Sequence, residues 1–223
     1  MRIVLVVAAH SDDEVLGCGG TISRHVECGD QVHVAYMTNG VGARGGDLSV
    51  EIVRRAAARD EALHVLGVEK SYILDFPDNK MDSVPLLDVI QKLEGIIDIV
   101  RPDIVYTHHD GDLNIDHRIT NQAVITACRP LPGCPVQEIL TFEVMSSTEW
   151  APPAVMPFTP NVYINIADHL EKKCRAAGAY ELEMRSAPHS RCIEHVRHLA
   201  KHRGYSVGLD AAEAFVVVRR IVG

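Results

Sequence analysis

Residues 3–14 read IVLVVAAHSDDE. The run Ile3–Ala8 is apolar and uncharged, long enough for one fully buried strand, and a helical pattern begins at about Asp13. The abrupt change to one histidine, one serine and three acids cannot continue into a core unless the acids find partners. His10 and Asp13 lie three residues apart across the turn, so an imidazole and a carboxylate can converge on one cation. We interpret this turn as a metal site in which Asp12 points at whatever the cation binds.

A helix cap is the simpler interpretation of the same turn. Short polar side chains such as Ser11 or Asp12 accept hydrogen bonds from the free amide groups at the start of a helix. Capping needs only one such residue, however, and it explains neither His10 nor the excess of acid. The metal site is therefore the hypothesis that we carry forward.

Strand-like and helix-like segments alternate along the chain. The predicted strands are residues 2–8, 31–37, 71–74, 104–107, 138–144, 162–166 and 214–218. The predicted helices are residues 13–28, 49–66, 85–100, one that ends at about 128, 167–179 and 190–203. Such alternation implies an α/β fold, with a three-layer, Rossmann-like, mostly parallel twisted sheet and helices on both faces. We expect one domain over residues 1–223, in which about 145–223 form a C-terminal extension that completes the substrate pocket.

Ligands of such sheets bind beyond the carboxyl ends of the strands, where the strand order reverses. For the common order 3-2-1-4-5, that place lies between the first and fourth strands. The first strand leads into the turn at His10, and the fourth leads into HHDGDLNIDH, residues 108–117. The second loop offers the missing imidazole in His108, His109 or His117. Two nitrogens and one carboxylate with open positions describe a catalytic zinc site, and Asp12 could take a proton from zinc-activated water.

Composition excludes several other classes of protein. A net charge of -8 over 223 residues argues against a nucleic-acid surface, because phosphate neutralisation needs clustered Lys and Arg. The local exception is residues 185–203, with four Arg, one Lys and four His, which either hold an anionic substrate or form a solvated helix face. The six cysteines show no Cys-x-x-Cys spacing and indicate reduced thiols. No stretch is long enough for a membrane span, so we expect a cytoplasmic protein, either a monomer or a homo-oligomer.

Residues 9–20, AHSDDEVLGCGG, resemble the signature of the zinc-dependent PIG-L/LmbE-like deacetylases, which begins AHPDDE and continues to a glycine cluster; these enzymes remove acetyl from N-acetylglucosamine-type sugars. Residues 114–117, NIDH, resemble that family's second motif, HPDH. The resemblance implies zinc on His10, Asp13 and His117. It implies that Asp12 is the general base and that Asp116 orients a neighbouring residue.

The chain departs from the family pattern at two positions. Ser11 replaces a proline, and both residues suit a turn. Asn114 stands where the family has a histidine that stabilises the oxyanion or protonates the leaving amine. An amide can donate a hydrogen bond to an oxyanion but cannot deliver a proton. The acid is then His108, His109 or His189, or else Asp12 after it has accepted a proton.

Several further residues are candidates for binding the substrate, each with a simpler alternative. An arginine in the glycine-rich loop after the second strand suits a phosphate or carboxylate of the substrate, or is an exposed charge. Loop acids bind a sugar hydroxyl or only shape the turn, and the single tryptophan stacks on a sugar ring or packs under its loop. The candidates are Arg44, Asp110, Trp150, Arg185 and His189.

The predicted metal site together with the family resemblance implies a zinc-dependent hydrolase that removes an acyl group, in the first place acetyl, from an N-acyl amino sugar or its nucleotide-linked or lipid-linked conjugate. One alternative is a module on the same fold that binds a sugar without cleaving it. Another treats the cluster Gly17–Gly20 as a nucleotide or S-adenosylmethionine loop. Those glycines come about nine residues beyond the strand, inside the first helix, where close packing explains them.

Overall fold

The computed structural model describes residues 1–40, 48–152, 154 and 156–223. Seven strands are present in these ranges: β1 (Ile3–Ala8), β2 (Gln31–Thr38), β3 (Lys70–Phe76), β4 (Ile104–His108), β5 (Glu138–Phe142), β6 (Val162–Asn165) and β7 (Ala212–Arg220). The α-helices are α1 (Asp13–Glu27), α2 (Leu48–Leu66), α3 (Leu86–Val100), α4 (Ile115–Ala127), α5 (Leu170–Ala179) and α6 (Ile193–Tyr205).

The strands form one sheet in the order β3-β2-β1-β4-β5-β7-β6. The first five strands run parallel to one another, and β7 runs antiparallel to both β5 and β6. The prediction of a mostly parallel α/β sheet is therefore confirmed, as is the reversal of strand order between β1 and β4. None of the helices in the described part of the chain is both long and apolar enough to cross a membrane.

Strand β1 is uniformly apolar because helices cover both of its faces. Val4 and Val6 pack into a core with α1, α2, α5 and α6, whereas Leu5 and Val7 pack into a second core with α3 and α4. All four side chains are fully buried. This central strand therefore has no solvent-facing position at which a polar residue could stand before the turn at its end.

The predicted boundaries move most in the last quarter of the chain. The helix expected from residue 190 begins at Ile193, because the backbone before it closes a loop in which Arg185 N donates to Arg191 O over 2.8 Å. The last strand is longer than predicted, since it pairs with β5 on one side and β6 on the other.

The glycine cluster of α1 serves close packing, as predicted. A Cβ atom on Gly17 would overlap the ring of Phe142, and one on Gly20 would lie 2.8 Å from Ile166. The helix is also broken at Cys18, whose φ of -145° and ψ of 25° are not helical. These glycines let α1 approach its neighbours and do not form a separate phosphate-binding loop.

The contact at Gly17 generates a stability prediction. Glycine in a helix interior is normally less stable than alanine by about 0.5–1 kcal/mol. Gly17→Ala should instead destabilise the protein by about 1–3 kcal/mol, because the methyl group overlaps the buried ring of Phe142. Gly95→Ala is the matched control, since a Cβ atom there meets nothing within 4 Å and should stabilise α3. Urea unfolding of both variants measures the two signs, and a stabilised Gly17→Ala protein would contradict the packing argument.

Candidate metal centre

Three buried side chains, one after a strand and two in the first turns of helices, bring potential metal ligands together. His10 follows β1, Asp13 opens α1, and His117 lies in the first turn of α4. The Oδ2 atom of Asp13 lies 3.2 Å from His10 Nδ1 and 3.3 Å from His117 Nε2, and the two nitrogens are 3.3 Å apart. One ligand atom from each residue lies within 4.8 Å of the others. The predicted trio is therefore adjacent in space, although His10 and His117 are far apart in sequence.

The charge and hydrogen bonding of the trio fit a divalent metal. Burial alone would lower the pKa of His10, but the carboxylates of Asp116, Asp13 and Asp78 outweigh it and raise that pKa to about 10. Burial would also lower the pKa of His117, but Asp13 and Asp112 raise it to about 9. The Oδ1 atom of Asp13 is buried without a hydrogen-bond partner among the described residues. A cluster that favours positive charge and offers two nitrogens and one carboxylate matches the donor set of catalytic zinc sites.

Asp116 contacts the outer nitrogen of His10. Its Oδ2 atom lies 3.1 Å from His10 Nε2 and also accepts from the backbone N–H of Asn79 over 2.7 Å. Its Oδ1 atom accepts from the backbone N–H of Met81 over 3.0 Å. With both oxygens held by backbone donors, Asp116 can fix the ring orientation of His10, the kind of role expected for it.

Asp112 contacts the outer nitrogen of His117, and sequence reasoning did not anticipate this. His117 Nδ1 lies 3.1 Å from Asp112 Oδ1, and Asp112 also accepts from the hydroxyls of Ser147 and Thr148. Burial would raise the pKa of Asp112, but these partners lower it to about 2. The sequence offered only a loop acid five residues before His117, and nothing in that spacing indicates a contact.

Asp12 is buried beside the trio in an uncommon backbone conformation. Its φ of 118° is rare outside glycine, and its side chain makes no capping hydrogen bond to α1. Its Oδ2 atom accepts from Arg191 Nη1 over 2.6 Å, whereas Oδ1 has no hydrogen-bond partner among the described residues. Burial raises the pKa of Asp12, and the charge of Arg191 opposes that rise. The capping interpretation of this residue is therefore wrong.

The two histidines at the end of β4 are held in different surroundings. His108 Nε2 accepts from the backbone N–H of Ala9 over 2.8 Å, and the ring stacks on His117 with centroids 3.9 Å apart. Burial and the neighbouring His117 lower the pKa of His108 to about 3, so its ring is neutral. His109 Nε2 lies 2.9 Å from the carbonyl oxygen of Met156. None of these contacts of the two rings involves Asp12.

Asn114 caps α4. Its side-chain oxygen accepts from the backbone N–H of Asp116 over 2.8 Å, and its amide nitrogen donates to Asn79 Oδ1 over 3.2 Å. Asparagine is among the residues preferred at this position of a helix. The amide group is thus engaged on both sides by local partners.

The remaining candidates lie farther out or outside the described residues. Trp150 and His189 are exposed, pack edge to face and line a cavity of about 610 Å³. Asp110 is exposed beside His109, and the guanidinium of Arg185 donates to the carbonyl oxygens of Leu182 and Met184. Arg44 lies outside the described residues.

Residues 5–128 match the family model described as PIG-L: GlcNAc-PI de-N-acetylase. The chain belongs to this family. It is 32% identical over 170 residues to the Escherichia coli K12 protein named "Uncharacterized deacetylase YaiS", covering 74% of this chain and 82% of that one. It is 27% identical over 224 residues to a diacetylchitobiose deacetylase of Thermococcus kodakarensis, and the match covers 96% of this chain and 82% of that one. Its fold matches the crystal structure of a conserved protein from Thermus thermophilus with a TM-score of 0.80 and 24% identity. The match covers 100% of this chain and 97% of that one.

The contact between Asp112 and His117 generates a prediction about metal affinity. Asp112→Asn should weaken metal binding by about 10–100-fold, because the amide no longer holds His117 with a charge. Asp30→Asn is the control, since Asp30 Oδ2 lies 2.8 Å from His25 Nδ1 in the same kind of pair away from this site. Metal titration against a chelator measures both variants, and equal affinities would show that Asp112 does not support the ligand.

Proposed function

We propose that the protein is a zinc-dependent hydrolase that removes an acyl group, in the first place acetyl, from the amide nitrogen of an N-acyl amino sugar or sugar conjugate. The observation that carries this proposal is the position of Asp12, which keeps one carboxylate oxygen without a partner among the described residues, beside a three-ligand metal cluster. Membership of the family and the names of the deacetylase relatives support the reaction type.

The proposed zinc ligands are His10, Asp13 and His117, with His10 and His117 oriented from behind by Asp116 and Asp112. When bound there, zinc would polarise the acyl carbonyl and make a water molecule easier to deprotonate. Asp12 then accepts the water proton at Oδ1 as the water oxygen bonds to the acyl carbon. The C–N bond breaks, and the amine nitrogen must receive a proton as it leaves.

The contacts of the histidines favour Asp12 as the source of that second proton. His108 is neutral and accepts a backbone hydrogen bond at Nε2. His109 is tied to a backbone carbonyl group, and His189 Nδ1 accepts from the backbone N–H of Arg191 over 3.0 Å. Asp12 already carries the proton taken from water, so returning it to the nitrogen balances the reaction without another acid. Asn114 donates one of its two amide hydrogens to Asn79, so the second can still donate to the developing oxyanion.

The proposed substrate is a small N-acyl amino sugar, either free or linked to a nucleotide or lipid. Arg44, Asp110, Trp150, Arg185 and His189 remain the residues proposed to contact its more distant groups. We also retain a single domain in which about residues 145–223 complete the substrate pocket, and a cytoplasmic location. A sugar-binding module without activity is the alternative that the experiment must separate.

The test combines elemental analysis with acetate release from free, nucleotide-linked and lipid-linked N-acetyl sugars. We expect about one zinc per chain and release of acetate from at least one class. Asp12→Asn is nearly isosteric and should retain zinc while losing about 10²–10⁴-fold in turnover, the usual contribution of a positioned base. Sugar binding without acetate release would favour the binding module. Turnover of Asp12→Asn close to that of the wild type would remove Asp12 from the mechanism.

A further inference from the structure

Arg191 reaches Asp12 from a part of the chain beyond the family match, which ends at residue 128. Its Nη1 atom donates to Asp12 Oδ2 over 2.6 Å, and its Nε atom donates to Ser146 Oγ over 2.6 Å. The side chains of Asp12 and Arg191 are 3% and 19% exposed, so this ion pair lies mostly out of water. A charged hydrogen bond in such surroundings is stronger and more directional than one at the surface.

The loop that carries Arg191 is fixed on both sides of the first motif. At its start, Tyr180 OH donates to Glu14 Oε1 over 2.6 Å. In its middle, Arg55 Nη1 donates to Glu183 Oε1 over 2.6 Å, and Arg55 Nη2 donates to the carbonyl oxygen of Ser11 over 3.0 Å. These contacts fix the loop against the first motif, which reduces the entropy lost when the Arg191 guanidinium engages Asp12.

The position of Asp12 gives this contact a specific consequence. Asp12 immediately precedes α1, where an aspartate side chain normally turns back to cap the free amide groups of the helix. It makes no such bond here, and its Oδ2 atom instead accepts from the guanidinium of Arg191. With Oδ2 engaged by Arg191, the carboxylate plane is restricted and Oδ1 is left without a hydrogen-bond partner among the described residues.

We propose that Arg191 is a positioning residue that holds Asp12 away from the capping position and directs its second oxygen towards the reacting water. This proposal rests on the proposed function of Asp12 as the base. It assigns to the C-terminal part of the chain a direct role in arranging the catalytic carboxylate.

The first variants compare charge, length and burial. Arg191→Met keeps the approximate length of the side chain without its charge, and we expect a loss of about 10²-fold in kcat with KM and bound zinc unchanged. Arg191→Lys keeps the charge and should retain part of the turnover that Arg191→Met loses. Arg203→Met is the matched control, because Arg203 forms a partly buried two-point pair with Glu143 in the same region. It should lower the unfolding midpoint without lowering kcat.

A double-mutant cycle separates positioning from general structural support. If Arg191 acts through Asp12, then Arg191→Met should cost little further turnover in the Asp12→Asn background. Additive losses, loss of zinc, or a higher KM with unchanged kcat would overturn the positioning role while leaving the proposed hydrolase intact. Absence of acyl release by the zinc-loaded wild-type protein would instead overturn the proposed function, and the role of Arg191 with it.

Discussion

The candidate site depends on the burial of one carboxylate. Asp13 is fully buried, and its Oδ2 atom lies 3.2 Å from His10 Nδ1 and 3.3 Å from His117 Nε2. A buried carboxylate is costly unless donors or cations surround it. The parallel pairing of β1 with β4 supplies those partners, since it aligns Val6 with Tyr106 and therefore brings the ends of both strands to the same edge. Sheet register and site chemistry are thus coupled in this fold.

The C-terminal part of the chain supports the first motif from several directions. Besides the contact of Arg191 with Asp12, the carboxylate of Glu213 accepts from the backbone N–H groups of Gly20 and Thr21 just after the break in α1. Lys173 pairs with Glu213 and also donates to the carbonyl oxygen of Leu16 before the break. Side chains from β7 and α5 therefore bond to backbone groups on the two sides of the break in α1. The segment matched by the family model supplies the proposed ligands and the two acids behind them, whereas the rest of the chain contacts Asp12 and the broken helix.

Sequence periodicity predicted what depends on local pattern. It indicated the order of elements, because burial on one or two faces leaves a repeated signal. The common strand order of such folds indicated the reversal beside β1, and the position of Gly17 inside a helix indicated its packing role. Sequence reasoning missed the contact of Asp112 with His117 and that of Arg191 with Asp12, because each depends on one side-chain contact rather than on a repeated pattern. It also placed the start of α6 too early, since the loop closed by Arg185 and Arg191 has no periodicity of its own. Contacts that join distant segments once each leave no pattern to read.

The asparagine at position 114 departs from the histidine of the family motif and takes part in the framework of the candidate site. Its side-chain oxygen caps α4 through the backbone N–H of Asp116, the residue whose carboxylate contacts His10. A good helix cap here therefore contributes to the orientation of a proposed metal ligand. An asparagine, however, cannot protonate an amine. In the proposed mechanism both proton transfers fall on Asp12, so fixing the geometry of that single carboxylate matters more than it would beside a separate acid.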